Sequence, residues 1–374
     1  MNHFVKNVIT MLDKFFSTKL ELNQNFLKKN IQFLKSKIGH QTEIIAVLKA
    51  NAYGFGDILL AKSIIKEGIK NIAVADFEEG LRLRNNGISG SIMIMYPGLN
   101  NLQPIIENNL EPTIYSFEML NRLILESKKF KNKIFFHLKI DTGMGRYGFL
   151  PSELKSAIIK IKNEKNLKIK SVFSHLASSK NKADKAFSLL QIEKFQIQKK
   201  IIEKRLPYKI KFHILNSHGV INYSNAAFDM VRVGFGLYYG FNNKKTSCIG
   251  ELKSSISQIK TIKKGDSVGY NRSFIAKKNM KIGIVPMGYA DGLKRSWGHQ
   301  KLSFFRNNCN LPILGEISMD SCVIDLASLK QVKEGDEVIL FGKTQNIFDL
   351  SSALNIIPYE ITAGLSKRIR RKLV

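Results

Sequence analysis

From Ile44 to Gly234 the chain repeats one pattern, a short and nearly continuous apolar run followed by a longer amphipathic stretch. The apolar runs are Ile44–Lys49, Asn71–Asp76, Ile92–Tyr96, Glu111–Ser116, Ile134–Asp141, Ile169–Leu176, Phe212–Ser217 and Asp229–Gly234. Rich in Ile, Val and Phe, they read as strands covered on both faces, and the segments between them are long enough for crossover helices. Eight such units are what a (β/α)8 TIM-type barrel requires; a doubly wound sheet is the alternative that alternation by itself leaves open. One unit is especially clear: a strand ending in Lys49, a turn through Gly54 and Gly56, and a helix from Asp57, a suitable N-cap residue.

After about Phe241 the texture changes. Shorter strands separated by Lys264-Gly265-Asp266, Glu334-Gly335-Asp336 and other glycine turns indicate a mostly-β domain. The expected organisation is an α/β barrel over residues 24–243 and a β domain over 244–374. An early strand at 17–23 would join the β domain, and residues 1–16 would form an N-terminal extension.

Composition refines this picture. At 374 residues with 44% hydrophobic residues, the chain can bury two domain cores. The formal charge of +29 invites a nucleic-acid reading. Yet most lysines are spread along helical segments, as in Ile158-Ile159-Lys160-Ile161-Lys162, where they read as solvated faces. Only Lys367-Arg368-Ile369-Arg370-Arg371-Lys372 is dense, and no nucleic-acid-binding module is legible, so no nucleic-acid partner is expected. The three cysteines, Cys248, Cys309 and Cys322, have neither zinc nor disulfide spacing, so no metal and a reducing compartment are expected. Without a signal-like apolar core or a bilayer-length run, the expectation is a cytoplasmic protein with no membrane partner.

In a barrel, chemistry collects at the C-terminal ends of the strands. The polar residues there are Lys49, Asp141 with Arg146, His175, Asn216 with Ser217, and Gly234. Lys49 beside apolar walls is either a lysine snorkelling to the rim or an amine of depressed pKa suited to a Schiff base. The Gly-rich turn and phenol that follow, Ala50 to Gly56, favour the second reading. Gly143, Gly145 and Gly148 match G-x-G-x-x-G, but the next strand ends in Ser174-His175 rather than an acid. A turn presenting Arg146 to a carboxylate is the better account. Ser217 and Gly234 suit a phosphate site after the last strands. Arg232, inside an apolar strand, needs a buried acceptor: a barrel carboxylate, or a cofactor ring nitrogen. His175 is either a satisfied core histidine or part of the same site.

Taken together, Ala46–Gly56 (AVLKANAYGFG), Lys139–Gly148 (KIDTGMGRYG), Val231–Gly236, Met287–Gly292 (MGYADG) and Ser318–Asp320 (SMD) resemble bacterial alanine racemase, in order from about Thr18 to the C-terminus. The resemblance implies a pyridoxal 5′-phosphate (PLP) enzyme that interconverts L- and D-alanine, supplying D-alanine for peptidoglycan, and works as a homodimer with shared active sites. By motif, Lys49 would carry PLP as a Schiff base and act as one base. Tyr270, from the other subunit, would act as the second base on the opposite face. Arg232 would partner the pyridine nitrogen, with His175 beside it. Tyr53, Asn216, Ser217, Gly234 and Phe235 would surround the phosphate. Arg146 and Met319 would bind the substrate carboxylate, Lys139 resembles a lysine carbamylated in many members, and Tyr289 and Asp320 would line a narrow entrance.

The chain also departs from the family. Phe55 stands where a histidine is usual. Gly364-Leu365-Ser366-Lys367-Arg368 lacks a tyrosine that reaches the phosphate in some members, and Ile369-Arg370 replaces a usual proline. The alternatives are a broader-specificity racemase, a non-catalytic PLP-binding protein of the single-barrel type, or a decarboxylase. Arg232 argues against the last, because decarboxylases want an acid at the ring nitrogen. The β domain carrying Tyr270 argues against the second.

Overall fold

The computed structural model describes residues 17–374; the 1–16 extension lies outside the described residues. By backbone contacts the described residues form two compact units, one comprising Lys28–Ala52 and Gly56–Leu237, the other 17–27, Tyr53–Phe55 and Tyr238–Val374.

After the opening strand β1 (Lys19–Leu22), the first unit supplies β2 (Glu43–Val47), β3 (Asn71–Val74), β4 (Ser91–Ile94), β5 (Glu111–Ile114), β6 (Ile134–Lys139), β7 (Leu167–Phe173), β8 (Lys211–His213) and β9 (Met230–Val233). These eight strands are parallel, in the order β8-β7-β6-β5-β4-β3-β2-β9. The last two approach each other where Asp229 N–H donates to Phe212 O (3.1 Å) and Arg232 N–H donates to Leu215 O (3.0 Å). That contact leaves a nearly closed barrel with helices between the strands and excludes the doubly wound alternative. Every apolar run named from the sequence overlaps one of these strands. Ile45, Ala46, Ile72, Ala73, Ile92, Ile94, Phe136, Leu138, Val172, Val231 and Val233 are buried, as strands covered on both faces must be.

The strands are shorter than their apolar runs. Each apolar run continues past the last paired residue into the loop that carries polar groups, so Lys49 lies two residues beyond β2 rather than ending it.

The second unit holds β10 (Gly250–Ser255), β11 (Gln258–Ile262), β12 (Ser267–Val268), β13 (Phe274–Ile275), β14 (Met280–Val285), β15 (Ser303–Arg306), β16 (Cys309–Leu314), β17 (Cys322–Asp325), β18 (Glu337–Phe341) and β19 (Arg370–Leu373). A nine-stranded sheet runs β11-β14-β17-β16-β15-β18-β10-β1-β19, with β12 and β13 pairing separately. The early strand β1 enters this sheet between β10, antiparallel, and β19, parallel. The basic C-terminus is not a free tail. Arg368 pairs with Asp291 and Asp320, and Arg371 donates to the carbonyls of Gly54 (3.1 Å), Leu365 (3.1 Å), Ser366 (2.5 Å) and Ile369 (2.7 Å).

Candidate active site

The turn after β2 is the most unusual backbone of the first unit. Ala50 (φ 52, ψ 52), Asn51 (φ 54, ψ 47) and Ala52 (φ 52, ψ 53) are all left-handed, and Tyr53 follows at φ 57. Each such non-glycine residue costs roughly 1–2 kcal/mol, so neighbouring interactions must over-determine the turn. Ala52 N–H donates to Leu48 O at 2.7 Å, and Gly56 N–H donates to Asn51 O at 2.9 Å. Glu79 accepts Ala50 N–H at 2.6 Å on one carboxylate oxygen and Ala75 N–H at 2.8 Å on the other. Asn51 Oδ1 accepts Asp57 N–H at 3.1 Å. Asp57 is not the cap expected from sequence. Gly56 occupies that position without a side-chain bond, and the buried Asp57 carboxylate pairs with Arg82 Nε at 2.9 Å. The helix starts at Asp57 as expected, with its cap one residue earlier, and the Asp57 carboxylate makes the ion pair with Arg82.

Lys49 is thereby held at the C-terminal rim. Burial, helped by the Arg146 charge, lowers its pKa from the ordinary lysine value, so the neutral amine is easier to reach. Lys139 ends β6 and its Nζ lies among the rings of Tyr96 (5.6 Å), Tyr147 (5.7 Å) and Phe173 (5.5 Å). Burial, then the charges of Arg232 and Arg146, bring its pKa down to about 7.

The loop after β6 wraps around Asp141, whose carboxylate accepts N–H groups of Gly143 (2.8 Å), Met144 (2.8 Å) and Arg146 (3.1 Å). Gly148, at φ +133, lies against the backbone of Ile140 and Asp141 with no room for a Cβ. The glycines therefore fold a hairpin-like loop back on β6 rather than open a dinucleotide-binding helix, which leaves Arg146 on an exposed turn.

Arg232 on β9 is fully enclosed. It reaches His213 Nδ1 at 2.6 Å, Ser174 O at 2.5 Å, His175 Nδ1 at 3.1 Å and Ile214 O at 3.3 Å. These acceptors are imidazoles and carbonyls, so the barrel-carboxylate reading of Arg232 gives way. Burial draws its pKa down to about 9, and burial together with Arg232 drives both His175 and His213 well below the usual histidine value. Both rings are neutral acceptors toward Arg232. Asn216 caps the helix Ser217–Asn222 by accepting Gly219 N–H at 2.9 Å, and its amide Nδ2 is 3.5 Å from His175 Nε2. Ser217 Oγ accepts the N–H groups of Gly234 (3.3 Å) and Gly236 (3.1 Å), which gathers a hydroxyl and backbone amides on either side of Phe235.

The other residues named from sequence lie in the second unit. The ring of Tyr53 packs against Tyr238 (5.5 Å), Tyr239 (6.5 Å) and Tyr359 (6.1 Å). Phe55 is buried against Tyr238 and Tyr239, a packing role that suits a ring without polar atoms. Tyr270 follows the left-handed Gly269 in a short 3-10 turn and is 67% exposed. Tyr289 and Met319 are exposed and sit on paired loops, because Tyr289 N–H donates to Ser318 O and Ala290 N–H to Met319 O, each at 3.0 Å. Arg368 clips these loops together through Asp291 (2.7 and 3.0 Å) and Asp320 (2.8 Å).

Sequence reading missed Glu79, His213 and Ser174. Glu79 sits on a later helix than the turn it holds, and no local spacing links them. His213 had a usable signal, since it is a histidine in the apolar run Phe212–Ser217, as Arg232 is an arginine in Asp229–Gly234. Among the described residues no cluster of three His, Cys, Asp or Glu side chains is placed to hold a metal ion, and no helix is long and apolar enough to cross a membrane.

Comparison with known proteins accounts for both units. Residues 22–241 match the family model for the alanine racemase N-terminal domain, and residues 249–373 match the C-terminal domain. An alanine racemase of Helicobacter pylori strain P12 is 35% identical over 374 residues, covering 94% of this chain and 97% of its own. The structure of an alanine racemase from Clostridium difficile 630 superposes with a TM-score of 0.89 at 28% identity, covering 96% and 97% of the two chains. That of an alanine racemase from Bartonella henselae with covalently bound pyridoxal phosphate gives 0.85 at 28% identity, over 96% and 99%. On the match of both domains and the identity along nearly its whole length, the chain belongs to the alanine racemase family.

Proposed function

We propose that this protein interconverts L- and D-alanine with PLP held on Lys49, using Lys49 and Tyr270 of the partner subunit as bases on opposite faces of Cα. The observation that carries the reading is the cluster of Lys49, Lys139, Arg146, His175 and Arg232 at the strand ends. Burial first, and then the charges of these neighbours, lower the pKa values of Lys49, Lys139 and His175, and such a cluster seeks an anionic ligand.

The donor set fits PLP. Ser217, with the amides of Gly234, Phe235 and Gly236, suits a phosphate, and by the family's motifs Asn216 and Tyr53 would also contribute. Arg232 would meet the ring nitrogen with a guanidinium, which only donates and so keeps that nitrogen unprotonated. When bound, PLP withdraws electrons from the substrate's amine and so acidifies its Cα–H bond. Lys49, with its lowered pKa, is suited to hold the group covalently and to exchange a proton with Cα.

A phenol with an ordinary pKa of about 10 needs help to act as a base. In this reading, neutral His175, fixed by Arg232, provides it for Tyr270 of the partner subunit. Arg146, with Met319 of the partner subunit, holds the substrate carboxylate. Lys139, half neutral near neutral pH, is suited to carbamylation by CO2, which would set an anion toward Arg146. Tyr289 and Asp320 narrow the entrance to favour a small side chain. The product D-alanine would serve peptidoglycan synthesis in the cytoplasm.

Polarimetry of L- and D-alanine with the PLP-loaded protein, with serine as competitor, tests the reading. Racemisation of alanine that serine slows only weakly is expected. Equal turnover of serine would move the assignment to a broad-specificity racemase, and no turnover of either to a PLP-binding protein without this activity.

A further inference from the structure

One side chain from each of β5 to β9 joins a single hydrogen-bonded line through the barrel interior. Arg232 (β9) contacts His213 Nδ1 (β8) at 2.6 Å, and His213 Nε2 contacts Ser171 Oγ (β7) at 2.8 Å. Ser171 Oγ contacts His137 Nδ1 (β6) at 2.7 Å, and His137 Nε2 contacts Glu111 Oε2 (β5) at 3.0 Å. Glu111 also accepts from Ser91 Oγ at 2.6 Å and pairs with Lys170 at 2.5 Å. Arg232, His213, Ser171 and His137 are all buried. Glu111 is the first residue of β5, at the opposite end of the barrel from the strand-end site.

With both imidazoles neutral, donor and acceptor capacity fixes the direction of every link. A guanidinium only donates, so His213 Nδ1 must be bare and its proton must sit on Nε2. That proton goes to Ser171 Oγ, whose own single proton is left for His137 Nδ1. His137 then carries its proton on Nε2 and donates it to Glu111, a carboxylate that only accepts. Reversing any link would bring two donors or two lone pairs together in a buried site.

We propose that this line is one polarised device for positioning Arg232, with Glu111 as its anionic terminus and Ser171 and His137 as positioning residues. Each imidazole is locked in one tautomer by its neighbour, so the guanidinium has one orientation in which all its acceptors are met. Burial opposes ionisation of Glu111, but the hydrogen bond from His137 and the charge and hydrogen bond of Lys170 work against it and lower the carboxyl's pKa, which favours an anionic terminus. The stacking of His213 on Phe173 (5.1 Å, 6° between planes) and of Arg232 over the same ring (4.9 Å) holds the top of the line flat. Its effect on catalysis rests on the reading of Arg232 as the partner of the ring nitrogen; its polarity does not.

Neutron diffraction from deuterated holoenzyme crystals tests the polarity directly. Deuterium is expected on Nε2 and not on Nδ1 of both His213 and His137, with the Ser171 hydroxyl pointing at His137. Deuterium on Nδ1 of either ring would overturn the line, whether or not Arg232 faces a ring nitrogen. The positioning role is read from Ser171→Ala and Glu111→Gln holoenzymes. A fall of about tenfold in kcat is expected with KM for alanine within about twofold, together with a shifted visible absorption band. Lowered thermal stability with unchanged kcat and an unchanged band, in either variant, would reduce the line to packing.

Discussion

Glu79 and Ala50 are joined by a 2.6 Å hydrogen bond from the Ala50 amide, and this bond holds the first residue of the left-handed turn that carries Lys49. The second oxygen of the same carboxylate accepts the amide of Ala75, just beyond β3, so the turn is tied to the neighbouring strand end.

Glu79→Gln sets an amide NH2 against one of these two backbone donors. Leaving the half-buried Ala75 N–H unmet costs about 1–3 kcal/mol, while the exposed Ala50 N–H can turn to water, and the turn has little reserve because its own backbone is unfavourable. We expect a lower denaturation midpoint and weaker PLP binding, read by urea titration and by absorbance titration of the cofactor. Unchanged values for both would show that the turn holds without Glu79.

Ser217→Ala removes the hydroxyl that collects the Gly234 and Gly236 amides. A hydrogen bond to a charged partner contributes about 1.5–3 kcal/mol, so PLP affinity should fall by about tenfold to a hundredfold. Without PLP the urea midpoint should fall as well, because the buried Gly234 and Gly236 amides lose their acceptor. Equal cofactor affinity in the two proteins would move the phosphate elsewhere.

Lys139 ties stability to pH with a definite sign. Its folded pKa, about 7, lies below the ordinary lysine value of 10.5, so between these limits the unfolded chain holds more protons than the folded one. Its contribution is therefore fully present above the unfolded value and is lost as pH falls toward 7. Relative to Lys139→Met, the unaltered protein should gain thermal stability from pH 7 to pH 10 in CO2-free buffer. A difference that stays flat or declines over that range would contradict the lowered pKa.

Tyr270→Phe should slow proton transfer on one face of Cα more than on the other. We expect deuterium exchange at Cα to slow about 10²-fold or more from one enantiomer and much less from the other, while racemisation falls equally in both directions because the equilibrium constant is unchanged. Equal slowing of exchange from L- and D-alanine would count against the two-base assignment.

The barrel was legible because its strands are covered on both faces and therefore spell continuous apolar runs, and the motifs placed Lys49, Arg146, His175, Ser217 and Arg232 at or near the strand ends. Local rules failed where backbone geometry was exceptional. A turn of Ala50, Asn51 and Ala52 in the left-handed region breaks the propensity of those residue types, and so displaced the expected cap from Gly56 to Asp57. The polar line from Glu111 to Arg232 was hidden for another reason. Each member lies on a different strand, and only the side-by-side pairing of β5 to β8 and the approach of β9 to β8 make neighbours of them.

Reduction of the PLP-loaded protein with borohydride, followed by peptide mass mapping, tests the central claim most directly. The account expects the yellow colour to bleach and the reduced cofactor to be found on Lys49, with Lys49→Ala unable to retain it covalently. Stable label on Lys139 or another lysine, or a preparation that stays colourless when PLP is supplied, would contradict it.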